Sequence, residues 1–125
     1  WTEQLRYFLF RHEESLARSM GQQLNSSQWN KIWQDEPSKS IEHIKPQSSK
    51  VTYIHRLGNL TALPPGVNSK LQDKDPRLKA KTYESCGLLD AVEVAKMVRN
   101  GKWGLAAVNR REKKLIKWSM TEWVD

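Results

Sequence analysis

The segment between residues 40 and 73 constrains the fold most, because it combines two short strand-like runs with a helix start in a fixed order. Residues 40–44 predict a short strand, and residues 60–63 predict a second one. Residues 64–66, two prolines and a glycine, then predict the start of a short helix, since proline is tolerated in a first helical turn. The predicted local order is therefore strand, loop, strand and helix.

Helical patterns flank this segment on both sides, with apolar residues such as Leu5, Leu9 and Leu16 at helical spacing. The predicted helices cover residues 3–24, a short second span that residues 25–27 can cap, then 76–86 with Asp75 as its cap, 90–100 and 103–123. The sequence thus predicts a mainly α-helical fold with a small two-stranded antiparallel insert. We expect one domain over residues 1–125, with helices in 1–36 and 75–125 around a core at 40–73.

Composition excludes several classes of protein. An apolar content of 38% and a charged content of 28% are typical of a globular chain rather than a disordered one. No apolar run approaches the roughly 20 residues needed to span a bilayer, and no signal peptide is visible. Cys86 is the single cysteine, which excludes an internal disulfide and a cysteine-bound zinc and favours a reducing, cytoplasmic location. Because Trp1 begins the chain, we expect it to be part of a longer protein.

The net charge of +7 and the isoelectric point of about 9.7 favour a polyanionic partner such as DNA. Hydrolysis of a phosphodiester needs a base for water and a positive charge for the phosphorane and the leaving oxygen. Histidine is the natural base near neutral pH, and magnesium prefers a few oxygen ligands from protein. Glu42, His43 and Asn68 offer these groups, although neighbours on a regular strand point to opposite faces.

These residues lie in three segments of the sequence. In chain order the segments are Glu42-His43-Ile44-x-Pro46-Gln47-Ser48, Leu57-Gly58-Asn59-Leu60-Thr61 and Asn68-x-Lys70. The combination resembles the HNH, or ββα-metal, nuclease motif. It is most similar to the C-terminal nuclease domain of GmrSD-type modification-dependent restriction proteins, and it is related to the nuclease half of phosphorothioation-sensing defence proteins. The resemblance covers residues 29–123 and implies a ββα-metal core embedded in a helical domain.

The resemblance implies a role for each matched residue. His43 matches the general base that activates water, and Asn59 matches the asparagine that braces the loop and orients that base. Glu42 and Asn68 match the two ligands of one metal ion, while Lys70 lies near a basic position of the family. The zinc-binding cysteine pairs of many HNH domains are absent, and asparagine at the last ligand position favours Mg²⁺ or Mn²⁺ over softer metals.

Basic residues near the motif are expected to contact DNA phosphates without reading bases, although a solvated helix face explains many of them equally well. The residues expected to do so are Lys45, Arg56, Lys70 and Lys79. His55 lies in the loop between the strands, where an exposed histidine without a role is the ordinary expectation. An accessory contact with the phosphate is the alternative.

The leading hypothesis is a metal-dependent DNA endonuclease that nicks or cuts both strands in restriction or anti-phage defence. The resemblance also implies an N-terminal nucleotide-hydrolysing sensor domain in the full-length protein. A catalytically silent DNA-binding module of the same fold is the first alternative. A helical interaction domain, suggested by the six tryptophans, is the second.

Overall fold

The computed structural model describes residues 1–71 and 73–122, and in that part of the chain it contains six α-helices and one two-stranded sheet. The elements in chain order are α1 (Thr2–Ser19), α2 (Ser26–Trp33), β1 (Ile41–His43), β2 (Leu60–Ala62), α3 (Pro65–Leu71), α4 (Pro76–Ser85), α5 (Leu89–Asn100) and α6 (Leu105–Thr121). Short 3-10 turns occupy Pro37–Ser40, Gln47–Ser49 and Leu57–Asn59. The prediction of a mainly α-helical fold with a small antiparallel insert is confirmed.

Two helices begin where the sequence predicted because a local side chain caps them. The carboxamide oxygen of Asn25 accepts a hydrogen bond of 3.2 Å from the backbone N–H of Gln28 at the start of α2. The carboxylate of Asp75 accepts one of 3.2 Å from the N–H of Arg77, and Pro76 occupies the first turn of α4. Each cap satisfies an N–H group that has no partner within the helix.

Helices α1 and α5 depart from their predicted bounds. Helix α1 ends at Ser19 rather than near residue 24, and Gly21 follows with a φ of +66°, a left-handed conformation that stops the helix. Helix α5 was predicted to begin at Asp90, but it begins one position earlier, at Leu89. The carboxylate that caps it belongs to Glu13 of α1, which accepts 2.6 and 2.9 Å hydrogen bonds from the N–H groups of Leu89 and Asp90.

Helix α6 begins at Leu105, two positions later than predicted, and Trp103 lies in the connection before it. The predicted end of this helix at Trp123 lies outside the described residues. Within the described part, α6 extends to Thr121.

Helix α5 is the centre of the core. Its Ala91, Val94, Ala95 and Val98 are all completely buried, and their small side chains let neighbouring elements approach closely. Helix α5 packs against α4, α1 and strand β2. The small sheet therefore rests on the most buried helix of the molecule.

The two strands pair antiparallel, with Glu42 opposite Thr61 and His43 opposite Leu60. A buried ion pair holds β2 in place. Arg111 of α6 donates to both carboxylate oxygens of Asp90, at 3.0 and 2.9 Å. It also donates to the carbonyl of Leu60 in β2, at 2.8 Å. The hydroxyl of Thr61 donates to the same Asp90 carboxylate. Two helices, α5 and α6, thereby determine where the end of the sheet lies.

Candidate active site

A cleft of about 970 Å³ opens beside the carboxyl end of β1. Three residues predicted from the sequence for catalysis or metal binding line it together, namely Glu42, His43 and Asn68. His55, predicted only as a possible accessory, lines the same cleft. The fold thus brings together side chains from β1, the following loop and α3.

The imidazoles of His43 and His55 are in direct contact. Nε2 of His43 lies 3.2 Å from Nδ1 of His55, and the rings meet edge to face with centroids 5.2 Å apart. On the opposite side of its ring, Nδ1 of His43 lies 3.4 Å from Nε2 of Gln47. Both nitrogens of His43 are therefore placed by neighbours from the loop between the strands.

The pKa of His43 is lowered from its usual value to about 4. Burial of the imidazolium is the largest cause, and the charges of His55 and Lys79 add to it. A histidine with this pKa is neutral at physiological pH. Its chemistry is that of a proton acceptor.

Glu42 lies almost completely buried on the neighbouring position of β1. Its Oε2 accepts a 2.9 Å hydrogen bond from Nζ of Lys79 and another from the hydroxyl of Tyr83. Burial raises the pKa of the Glu42 carboxyl, while Lys79 and Tyr83 act in the opposite direction. Both contacts involve one oxygen, so α4 holds the carboxylate by one side at the wall of the cleft.

Lys79 was expected to contact a DNA phosphate, and that expectation is wrong. Its side chain is completely buried. The ammonium donates to Oε2 of Glu42 at 2.9 Å and to the carbonyls of His43 and Ile44 at 2.8 and 3.0 Å. Since an ammonium has three donors, Lys79 is fully used inside the protein, where it fixes the end of β1.

Asn68 projects from the first turns of α3 toward the cleft. Its Nδ2 donates to the carbonyls of Lys39 and Ile41, at 2.8 and 3.3 Å. Because both partners are acceptors, the amide nitrogen must face them, and Oδ1 points the other way. The side chain is therefore oriented with its acceptor oxygen away from the backbone of β1.

The side chains at this position fit a hard divalent cation better than a soft one. Oε1 of Glu42 and Oδ1 of Asn68 are oxygen donors, which magnesium and manganese prefer. Among residues 1–71 and 73–122, no group of three or more His, Cys, Asp or Glu side chains is placed to share a metal. A cation here would therefore use a carboxylate oxygen, an amide oxygen and water.

Asn59 lies behind the cleft and is completely buried. Its Oδ1 accepts from the N–H of Lys45 at 2.8 Å and from Nε1 of Trp103 at 3.0 Å. Its Nδ2 donates to the carbonyls of Lys45 and Ile54, at 3.1 and 2.9 Å. One side chain thereby joins the segment after His43 to the segment that carries His55.

Helix α6 holds the turn that precedes Asn59. The carboxylate of Glu112 accepts a 3.1 Å hydrogen bond from the N–H of Gly58 and forms an ion pair with Arg56. The side chain of Arg56 remains 40% exposed, so its expected contact with a phosphate would compete with Glu112. A Cβ at Gly58 would lie 2.1 Å from the carbonyl oxygen of Val108, so only glycine fits against α6 here.

Two further lysines expected to bind phosphate lie on separate surfaces. Lys45 is half-buried and lines a groove of about 330 Å³ together with Arg77 and Lys102. Lys70 is exposed and lines another groove of about 630 Å³ with Lys31. Contact of either lysine with DNA stays a prediction.

Sequence reasoning assigned no role to Tyr83, Trp103 or Glu112, which hold Glu42, Asn59 and Gly58 respectively. Tyr83 follows Lys79 by one helical turn, and this spacing was the only local signal of a shared buried face. Trp103 and Glu112 act over 44 and 54 residues of sequence, where no local pattern indicates a partner.

The chain matches a family of known proteins. Curated proteins and solved structures contain no match to the chain. No helix among the described residues is long and apolar enough to cross a membrane. The family model described as "GmrSD restriction endonucleases, C-terminal domain" matches residues 1–118, which extends the predicted resemblance to include α1. The chain therefore belongs to the family of GmrSD restriction endonuclease C-terminal domains.

Proposed function

We propose that the chain is a metal-dependent DNA endonuclease domain that acts in restriction or anti-phage defence. Membership of a restriction endonuclease family supports nuclease activity and a DNA substrate in general terms. The observation that carries the specific mechanism is the environment of His43. A neutral imidazole stands in the same cleft as a carboxylate and a carboxamide.

His43 acts as the general base in this mechanism. The mechanism uses the tautomer in which Nε2–H of His43 donates to Nδ1 of His55, 3.2 Å away, and Nδ1 of His43 is unprotonated. A water beside Nδ1 gives up its proton to that nitrogen as its oxygen attacks the phosphorus, and the bond from phosphorus to the leaving oxygen then breaks. The 3.4 Å contact with Gln47 is long for a hydrogen bond, so the exposed Gln47 side chain yields its place to this water.

Glu42 and Asn68 would hold one Mg²⁺ or Mn²⁺ through Oε1 and Oδ1. When bound, this ion supplies positive charge that stabilises the phosphorane and the leaving oxygen. Lys79 and Tyr83 keep the Glu42 carboxylate in place from the other side. Asn59 is a positioning residue, which holds the backbone on both sides of the histidine pair.

The test is cleavage of supercoiled plasmid by the purified chain with Mg²⁺ or Mn²⁺. We expect cleavage that a chelator abolishes and that His43→Ala reduces by about 10²–10⁴-fold, the usual contribution of a general base. Thermal melting of His43→Ala must match that of the unaltered chain, so that lost activity is not lost folding. Cleavage that persists in chelator, or at full rate in His43→Ala, refutes the mechanism.

Metal binding has a readout that does not depend on activity. Manganese titration followed by electron paramagnetic resonance should show one ion per chain. Asn68→Ala should weaken that binding, whereas Ser69→Ala, a substitution at the exposed neighbouring position, should not. Equal manganese affinity in the two variants would remove Asn68 from the ligand set.

A catalytically silent DNA-binding module is the second candidate. One observation favours it: Glu42 is ion-paired with Lys79 through Oε2, so only its other carboxylate oxygen is available to a metal ion. This candidate predicts salt-sensitive binding to duplex DNA without cleavage under any divalent metal. Any His43-dependent cleavage excludes it.

We further propose that the full-length protein carries an N-terminal nucleotide-hydrolysing sensor domain and works in the cytoplasm, where the lone Cys86 stays reduced. Cleavage by the full-length protein should then depend on nucleotide hydrolysis. Cleavage at the same rate with and without nucleotide would contradict this arrangement. Fractionation of cells that express the full-length protein tests the compartment.

A further inference from the structure

The cleft that contains His43 is poor in positive charge. Among the described residues that line it, Lys39 is the one lysine, and it forms a 3.5 Å ion pair with Asp35. Glu42 is already paired with Lys79, and Asp73 adds a further carboxylate. Such a cleft attracts a cation but repels the phosphates on either side of the reacting one. A DNA strand that enters it needs its phosphates held on an adjacent surface.

The groove lined by Lys45, Arg77 and Lys102 is that surface. These three basic side chains surround about 330 Å³, and the lining carboxylate, Asp75, already accepts the N–H of Arg77 as the cap of α4. Arg77 and Lys102 are exposed, and Lys45 is half-buried. The groove therefore has an excess of positive charge that the main cleft lacks.

Asn59 connects the groove to the segment that follows the candidate base. Asn59 binds the backbone of Lys45 on one wall and Nε1 of Trp103 on another. Lys45 follows His43 by two residues, so their Cα atoms lie at most about 7 Å apart. Phosphates on one strand follow each other every 3.4 Å along the helix axis, so this distance corresponds to roughly one to three nucleotides.

We propose that this groove binds a backbone phosphate of the DNA strand, one to three nucleotides from the phosphate that is cut. The ligand class rests on the proposed function, because the groove meets DNA only if the chain acts on DNA. The contact is to the phosphodiester backbone and carries no base specificity.

The test is the salt dependence of duplex binding, measured by fluorescence anisotropy in the His43→Ala chain without divalent metal. Each lost phosphate contact lowers the slope of log K against log salt by about 0.9. Because the groove is proposed to bind one phosphate, Arg77→Gln/Lys102→Gln should lower the magnitude of the slope by about 0.9. Between 50 and 200 mM salt, the variant should lose about 3.5-fold less affinity than the His43→Ala chain with the groove intact.

The matched control is Arg18→Gln/Lys117→Gln, which removes one arginine and one lysine from exposed positions on α1 and α6 that line neither the cleft nor the two grooves. We expect its salt slope to be unchanged. An equal loss of salt slope in both double variants would mean that net charge alone governs binding. That result would overturn the proposal that the groove binds a backbone phosphate. An unchanged slope in Arg77→Gln/Lys102→Gln would overturn it as well.

Failure of this inference and failure of the proposed function are distinguishable. Binding is measured in a chain that lacks the candidate base and in the absence of metal, so it does not depend on catalysis. If the chain never cleaves DNA but Arg77→Gln/Lys102→Gln lowers the salt slope more than the control does, only the proposed nuclease activity is refuted. If the chain cleaves DNA but the two double variants have the same salt slope, only the proposed phosphate contact in the groove is refuted.

Discussion

Gly58→Ala is the most informative single substitution for the link between α6 and the candidate active site. The added methyl group would lie 2.1 Å from the carbonyl oxygen of Val108 and 3.0 Å from Cβ of Glu112. The nearer contact is backbone, so no side-chain rotation relieves it. Either the turn Leu57–Asn59 or helix α6 must move.

The size of the movement follows from the contact. Restoring a separation of 3.0–3.4 Å requires a shift of about 0.9–1.3 Å. Overpacking of this kind costs about 1–3 kcal/mol of unfolding free energy. For a domain of this size, the loss lowers the melting temperature by about 4–12 °C. A displacement of about 1 Å next to the reacting groups also lowers the cleavage rate by about 10²-fold.

Thermal melting and plasmid cleavage measure the two effects in the same preparation. Gly66→Ala is the matched control, because a Cβ at Gly66 meets nothing within 4 Å although Gly66 lies in α3 close to Asn68. We expect that variant to melt at or slightly above the temperature of the unaltered chain. If Gly58→Ala melted and cleaved like Gly66→Ala, the close packing of the turn on α6 would be wrong.

Three further predictions concern buried or half-buried titratable groups. Lys79→Met should cost about 3–5 kcal/mol in urea denaturation, because it leaves the Glu42 carboxylate buried without its ion partner. Glu42→Gln/Lys79→Met should recover part of that loss, and full additivity of the two single variants would contradict the pairing. Because the pKa of His43 is lowered to about 4, its imidazole stays neutral as the pH falls below 6.5 and becomes protonated only near pH 4. The rate of metal-dependent cleavage should therefore not fall through loss of the general base until the pH is below about 5. A fall in rate centred near pH 6.5 would refute the lowered pKa of His43. Burial raises the pKa of the Cys86 thiol to about 11, so at pH 8 only about one thiol in 10³ is ionised and labelling should be slow until urea unfolds the chain. Rapid labelling of the native chain would contradict the burial of Cys86.

Local sequence determined the elements of the candidate site and their order. Asn25 and Asp75 cap helices where the sequence predicted, because each bonds an N–H only two or three residues away. The strand, loop, strand and helix between residues 40 and 71 also follow from local composition. The order of Glu42, His43, Asn59 and Asn68 sufficed to identify the family.

Only the tertiary structure decided which charged groups face solvent and which are bonded inside. Lys79 looks in the sequence like any exposed helix lysine, yet it bonds Glu42 from 37 residues away. Likewise, the carboxylate that caps α5 belongs to Glu13, 76 residues before Leu89 in the sequence. A cap or a strand pattern depends on near neighbours, which the sequence displays. The partner of a buried charge is set by which helices pack together, and that arrangement is a property of the whole core.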